Sequence, residues 1–134
     1  MIYIDTGAFV ARYLAKDQYH ELAVAFWDTL RVKQERLITS NFVLNETATI
    51  LGRRAGYGFA AKRLQAVYAS NILQIWRPDQ DDELRAIAWF AKFSDQEVSF
   101  TDCISFVLMQ RGDIQRVFTF DRNFDVAGFK RFPR

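Results

Sequence analysis

Short apolar runs rich in β-branched and aromatic residues alternate along the chain with longer segments of helical periodicity. Strands are expected at "MIYI", "RLITS", "ILQIW" and "RVFTF", with a shorter last one at "GFKRF". Between them, "HELAVAFWDTLRV" places Leu22, Ala25, Phe26 and Leu30 at helical spacing. "NFVLNETATILGRRAG" reads as a second helix, opened by a capping Asn41 and closed near Gly56. "FAAKRLQAVYAS" predicts a third, ending at Asn71, and "LRAIAWFAKF" a fourth with Leu84, Ile87, Ala88 and Ala91 as its apolar stripe. The acids Asp79, Asp81, Asp82 and Glu83 precede that stripe, where they complement the positive end of a helix dipole. Strands alternating with helices predict an α/β fold, a parallel sheet of about four or five strands flanked by helices.

Composition narrows the class. A chain of 134 residues suits one domain over 1–134, able to bury roughly two-thirds of its unfolded surface. Half the residues are hydrophobic and 13 are Phe, which fills a core and excludes a disordered chain. The net charge of +2 is too small to announce nucleic acid or an anionic membrane. Arg53, Arg54, Lys62 and Arg63, and separately Arg122, Lys130, Arg131 and Arg134, still leave room for a basic surface beside the ordinary reading of solvated helix faces. The one cysteine, Cys103, excludes an intrachain disulfide and fits a reducing compartment. "MIYID" has no secretory pattern, and no run approaches the roughly 18 apolar residues of a membrane span, so a cytoplasmic protein without membrane contact is expected.

The acids add chemistry. In "VSFTDCISFVLMQ", Asp102 stands between a β-prone run (Val98, Phe100) and an apolar segment (Ile104, Phe106, Val107, Leu108) that covers a helix face. Left charged and unpaired there, a carboxylate is costly. Asp5 closes the first strand, Asp121 closes "RVFTFD", and Asp102 heads a helix. Glu46 lies inside the helix after the second strand, its side chain tilted back toward the same sheet edge. Ligands of open α/β sheets bind at that edge. Asp is also a favoured N-cap, so any one of these aspartates could serve as a cap alone. As a set, like charges raise one another's pKa and persist where a cation or proton neutralises them. Oxygen donors without His or Cys at zinc spacing favour Mg²⁺ or Mn²⁺ over Zn²⁺, and Mg²⁺ commonly binds through few carboxylates plus a substrate phosphate.

"YIDTGAF", "SNFVLNETATIL", "SFTDCISF" and "VFTFDRNF", in this order over almost the full length, resemble the acidic motifs of the PIN-domain family. The likeness is closest to the VapC-type ribonuclease toxins of bacterial and archaeal toxin–antitoxin pairs. It implies a compact three-layer α/β/α sandwich around the parallel sheet and metal-dependent endonucleolytic cleavage of RNA, with Asp5, Glu46, Asp102 and Asp121 as the catalytic, metal-holding cluster. Thr6 would orient a ligand or a water, and Asn123 would stand behind the last acid. Asp125 is a rival for the fourth acid, but the "TFDRNF" pattern favours Asp121. In such an enzyme a water activated at Mg²⁺ or Mn²⁺ attacks phosphorus in line, leaving a 5′ phosphate and a 3′ hydroxyl. The resemblance also implies a homodimer, silenced by a VapB-type antitoxin lying over the active-site groove.

Two other classes compete. A PIN fold can be a nucleic-acid-binding or regulatory module without cleavage; retention of all four acids argues against this. A haloacid-dehalogenase-type phosphatase needs a second Asp two residues after the first, where Gly7 stands. Several residues stay in structural roles: His20 on the surface, Cys103 as a small buried side chain, and "GRRAGYG" as a helix end and turn, since it lacks a phosphate-cradling spacing. Phe9, Phe42, Tyr57 and Phe59 could line an apolar groove or dimer surface, although most aromatics here must be core.

Overall fold

Ile2, Tyr3 and Ile4 are fully buried, as a parallel strand covered on both faces must be. They form β1 (Ile2–Ile4) at the centre of the sheet, followed by α1 (Thr6–Tyr13) and α2 (His20–Val32). Next come β2 (Leu37–Ser40), α3 (Asn41–Ala55), α4 (Tyr57–Ala69), β3 (Leu73–Trp76), α5 (Gln80–Lys92) and α6 (Phe100–Arg111). β4 (Arg116–Phe118), α7 (Asn123–Val126) and β5 (Lys130–Phe132) complete the chain. This computed structural model describes residues 1–134. The five strands are all parallel, in the order β3-β2-β1-β4-β5.

Helices cover both faces of the sheet. On one, the Tyr3 hydroxyl meets Ser105 Oγ of α6 at 2.8 Å. On the other, Phe118 packs against Phe26 and Trp27 of α2, with ring centroids 4.8 and 5.2 Å away. Tyr3 is in register with Val117, and Ile4 with Phe118, so alternate residues of β1 and β4 serve the two layers. All five expected strands form, and so does each expected helix, with shifted ends.

Several finer expectations are corrected. On α2 the buried positions are Ala23, Trp27 and Leu30, whereas Leu22 is 55% exposed. The indole sets this phase: Trp27 Nε1–H donates to the Ala8 carbonyl at 3.0 Å, and burying so large a ring outweighs burying Leu22. The same happens on α5, where Leu84 and Ile87 are exposed and Asp82 and Ala86 are buried. Trp89 and Phe93 of that inward face stack near Phe106. Asn41 is not the cap of α3; Ser40 is, accepting from the Val43 N–H at 3.1 Å. Val98 and Phe100 form no strand, because Ser99 caps α6 and Phe100 is its first residue. α1 and the one-turn α7 follow Asp5 and Asp121, where periodicity announces no helix.

The acidic run before α5 does more than complement a dipole. Asp79 caps the helix and exchanges hydrogen bonds with Asp82, at 2.8 and 3.0 Å. Asp82, buried, is also ion-paired to Arg111 of α6. Asp82→Ala removes half of the cap and leaves Arg111 unpaired. Because Arg111 is partly solvated, a loss of about 2–3 kcal/mol is expected, read as a lower urea midpoint at unchanged slope.

Candidate active site

From β1 the chain builds outward through β2 to β3, then returns to add β4 and β5 on the other side of β1. The crevice beyond the C-terminal ends of β1 and β4 is therefore the switch point at which open α/β sheets bind ligands. Asp5 follows β1 directly, tied to the neighbouring strand by its N–H to the Phe118 carbonyl, at 3.1 Å. It stands at the cap position of α1, yet its side chain makes no capping bond. Instead, Oδ2 accepts from the Thr119 hydroxyl at 2.7 Å. Oδ1 is buried without a hydrogen-bond partner, as is Thr6 Oγ1 on the next residue.

Asp102 is partly a capping residue. Its Oδ2 accepts from the Ser99 N–H at 3.2 Å, while Ser99 Oγ accepts from the Asp102 N–H at 3.0 Å. This reciprocal box opens α6 and leaves Oδ1 outside it. Asp121 Oδ1 accepts from the Asn123 N–H at 2.9 Å, and the Asp121 N–H donates to Thr119 Oγ1 at 3.0 Å. Thr119, fully buried, thus links two acids through one hydroxyl. Glu46 projects from α3, half-buried. Asn123 Nδ2 reaches the Glu97 carbonyl at 3.4 Å, which ties α7 to the loop before α6.

Asp5, Glu46, Asp102 and Asp121 line one groove of about 470 Å³, together with Thr6, Thr119 and the basic Arg54. Their charges act on one another. The Asp5 carboxyl is pushed well above the ordinary range, first by burial and then by the Asp102 charge, against the pull of the Thr119 hydrogen bond. Asp102 is raised by burial and then by Asp121, and Glu46 raises both. No three acids stand close enough to enclose an ion by themselves. A Mg²⁺ ion there would have to complete its shell with waters and substrate phosphate. Two orphaned hard oxygens, on Asp5 and Thr6, are donors such a cation would satisfy.

The other candidates separate cleanly. Asp125 is ion-paired to Arg131 at 2.9 Å and does not line the groove, so Asp121 is the acid that does. Of the basic residues after Gly52, Arg54 lines it, while Arg63 lies over the rings of Tyr13 and Phe59. Burial, helped by Asp102, pushes the Cys103 thiol up to about 11, which removes it as a nucleophile. His20 is half-buried rather than on the surface, its Nδ1 2.7 Å from the Ala11 carbonyl. Phe9 is core and Phe42 pairs with Phe100, whereas Tyr57 is 77% exposed, so these aromatics form no single surface. A larger cleft of about 760 Å³, mostly apolar and bordered by Phe9, Tyr13 and Trp27, carries none of the four acids.

Thr119 and Ser99 escape the sequence reading. Ser99 had a signal, a hydroxyl three residues before an acid at the head of an apolar segment. Thr119 had a weaker one, an inward hydroxyl two residues before Asp121 on the same strand face.

A family model described as the PIN domain matches residues 2–130. The chain belongs to the PIN-domain family. Its relatives include the 23S rRNA-specific endonuclease VapC20 of Mycobacterium tuberculosis, 36% identical over 129 residues, 96% of this chain and 95% of the relative. A VapC ribonuclease of Archaeoglobus fulgidus is 31% identical over 130 residues, 96% of this chain and 81% of that one. The crystal structure of M. tuberculosis VapC20, described as a sarcin-ricin loop cleaving toxin, superposes with a TM-score of 0.86 at 32% identity, covering 96% of each chain. The PIN domain described here therefore sits in the VapC branch, and its parallel sheet flanked by helices is that fold.

The raised carboxyls give the metal-free PIN domain a pH signature. When a folded-state pKa lies above the unfolded one, the native state holds protons that the unfolded chain has released, so stability is greatest below the unfolded value. It falls as pH rises from the ordinary carboxylate range toward neutrality, through the raised values of Asp5 and Asp102. In chelator the urea midpoint should decrease over that window, and Asp5→Asn should flatten the decrease.

Proposed function

We propose that this PIN domain is a VapC-type endoribonuclease toxin in which the groove lined by Asp5, Glu46, Asp102 and Asp121 takes Mg²⁺ or Mn²⁺, bound partly through its waters, against the backbone of a 23S rRNA substrate. The observation that carries it is the pair of buried, unpartnered oxygens, Asp5 Oδ1 and Thr6 Oγ1, in a groove walled by all four acids. A bound divalent cation supplies charge neutralisation at the phosphate and a water of lowered pKa. The protein supplies the rest. Thr119 fixes the Asp5 carboxylate and the Asp121 turn together, and Ser99 fixes Asp102, so the donors are held before substrate arrives. Thr6 would hold the cation or one of its waters, Asn123 steadies the Asp121 turn, and Arg54 would meet a flanking phosphate across the groove.

The sarcin-ricin loop is the target we assign, from the substrate of M. tuberculosis VapC20 together with coverage of nearly its whole length. No helix is long and apolar enough to cross a membrane; an enzyme with a ribosomal target would meet it in the cytoplasm. A VapB-type antitoxin is the inhibitor, and a homodimer is the working unit. The exposed Leu84, Ile87 and Phe90 on α5 support the dimer. Two antiparallel copies of that helix would set the acidic end, Asp81 and Glu83, against Lys92. Primer extension on ribosomes treated with the protein and Mg²⁺ should map one break within the sarcin-ricin loop. Breaks confined to transfer RNA or messenger would reject the target.

A further inference from the structure

Tyr19 poses a separate question. It is 37% exposed, yet its ring lies flat on Phe120, centroids 4.4 Å apart and planes 4° from parallel. Both rings line the acid groove. Phe120 directly precedes Asp121, and a Cβ built on Gly7 would touch its Cδ2 at 3.7 Å, which sets the pair between two of the acidic motifs. An edge contact with Phe118, at 6.1 Å, anchors Phe120 to the sheet.

Local hydrogen bonds brace the loop holding Tyr19. Its N–H donates to Asp17 Oδ1 at 2.9 Å, and the His20 N–H donates to the Asp17 carbonyl at 3.0 Å. The His20 ring, bonded to the Ala11 carbonyl, pins the start of α2. A half-exposed aromatic braced at the edge of the acid groove gains little as core filling. It costs little further order to receive another flat ring, however. Asp17 and Gln18 line the same wall and offer a carboxylate and an amide to polar edges.

We propose that the stacked Tyr19 and Phe120 rings form a platform for an unpaired nucleobase of the RNA next to the scissile phosphate. Single-stranded RNA is read by stacking splayed bases on aromatic faces and bonding their edges, and every base has a face to offer. The platform selects a site whose neighbouring base is already unstacked, as in a loop. This inference rests on the RNA-cleaving reading given above.

The test uses the full chain carrying Asp102→Asn to block cleavage, with Tyr19 intact or changed, and a labelled hairpin of sarcin-ricin loop sequence. A second probe is oligouridylate. Tyr19→Ala and Tyr19→Leu should each weaken binding by about tenfold or more, and Tyr19→Phe, which keeps the face, should restore it. Tyr19→Leu still covers Phe120, so its melting temperature should match the parent while its binding does not. The loss should vanish on hairpins made abasic at the platform nucleotide, found by scanning the bases that flank the cut. Equal binding by Tyr19→Leu, an undiminished loss on every abasic hairpin, or failure of Tyr19→Phe to restore binding would each overturn the platform. Failure of the parent to bind either RNA would instead overturn the RNA-cleaving reading, and the platform with it.

Discussion

Asp102→Asn is expected to lower RNA cleavage by more than about 100-fold and to leave the metal-free protein at least as stable as the wild type. Outer groups that merely orient a ligand cost roughly 10- to 100-fold when removed, so loss of a carboxylate donor should exceed that. The stability half follows from electrostatics. Asp102 is buried and feels the charges of Asp121 and Glu46, both of which oppose its ionisation. An amide removes that repulsion, and its oxygen can still accept the Ser99 N–H, so the capping box survives. Cleavage rates and melting in chelator, taken on the same preparations, separate the roles. Lost cleavage with unchanged or higher melting temperature is the expected pair; lost cleavage with a marked drop would make the carboxylate a structural cap.

The largest effect on stability is expected at Phe106, through Phe106→Ala. This ring is fully buried and lies 5.2 Å from Trp89, 6.1 Å from Phe93, 5.0 Å from Phe124 and 5.8 Å from Phe129. It therefore joins α5, α6, α7 and the approach to β5 in one aromatic cluster. Truncation forfeits the transfer free energy of the ring and leaves a cavity that rigid neighbours fill poorly, about 3–5 kcal/mol in comparable cases. The urea midpoint should fall accordingly with little change in slope. A loss below about 1 kcal/mol would mean that the surrounding rings collapse into the gap. The acids lie outside this cluster, so the folded fraction should keep its metal response.

The strand–helix alternation made the sheet legible, because buried parallel strands are nearly continuous apolar runs and "MIYI" and "RVFTF" are such runs. The acids were legible for a related reason, since a carboxylate at the end of an apolar strand stands out against its neighbours. Helix faces were harder. Leu22, Leu84 and Ile87 fit an inward stripe by spacing alone, yet Trp27, Trp89 and Phe93 set the phase of α2 and α5 through bulk and, at Trp27, a hydrogen bond. Periodicity weighs apolar positions alike, whereas packing weighs area. Thr119 was hidden because its importance lies in two contacts that only the fold creates, one to Asp5 across 114 positions of sequence. The Asp82–Arg111 pair was hidden for the same reason, and so was the stacking of Tyr19 on Phe120.

Cleavage of purified 23S rRNA by the metal-free protein, before and after addition of Mn²⁺ and again after chelator, with Asp5→Asn run alongside, decides whether a cation held by these carboxylates cuts RNA. The expected result is a discrete fragment that forms only with Mn²⁺, stops with chelator and never appears with Asp5→Asn. Cleavage that persists in chelator, or that Asp5→Asn performs as well as the wild type, would contradict a carboxylate-held cation at the end of β1.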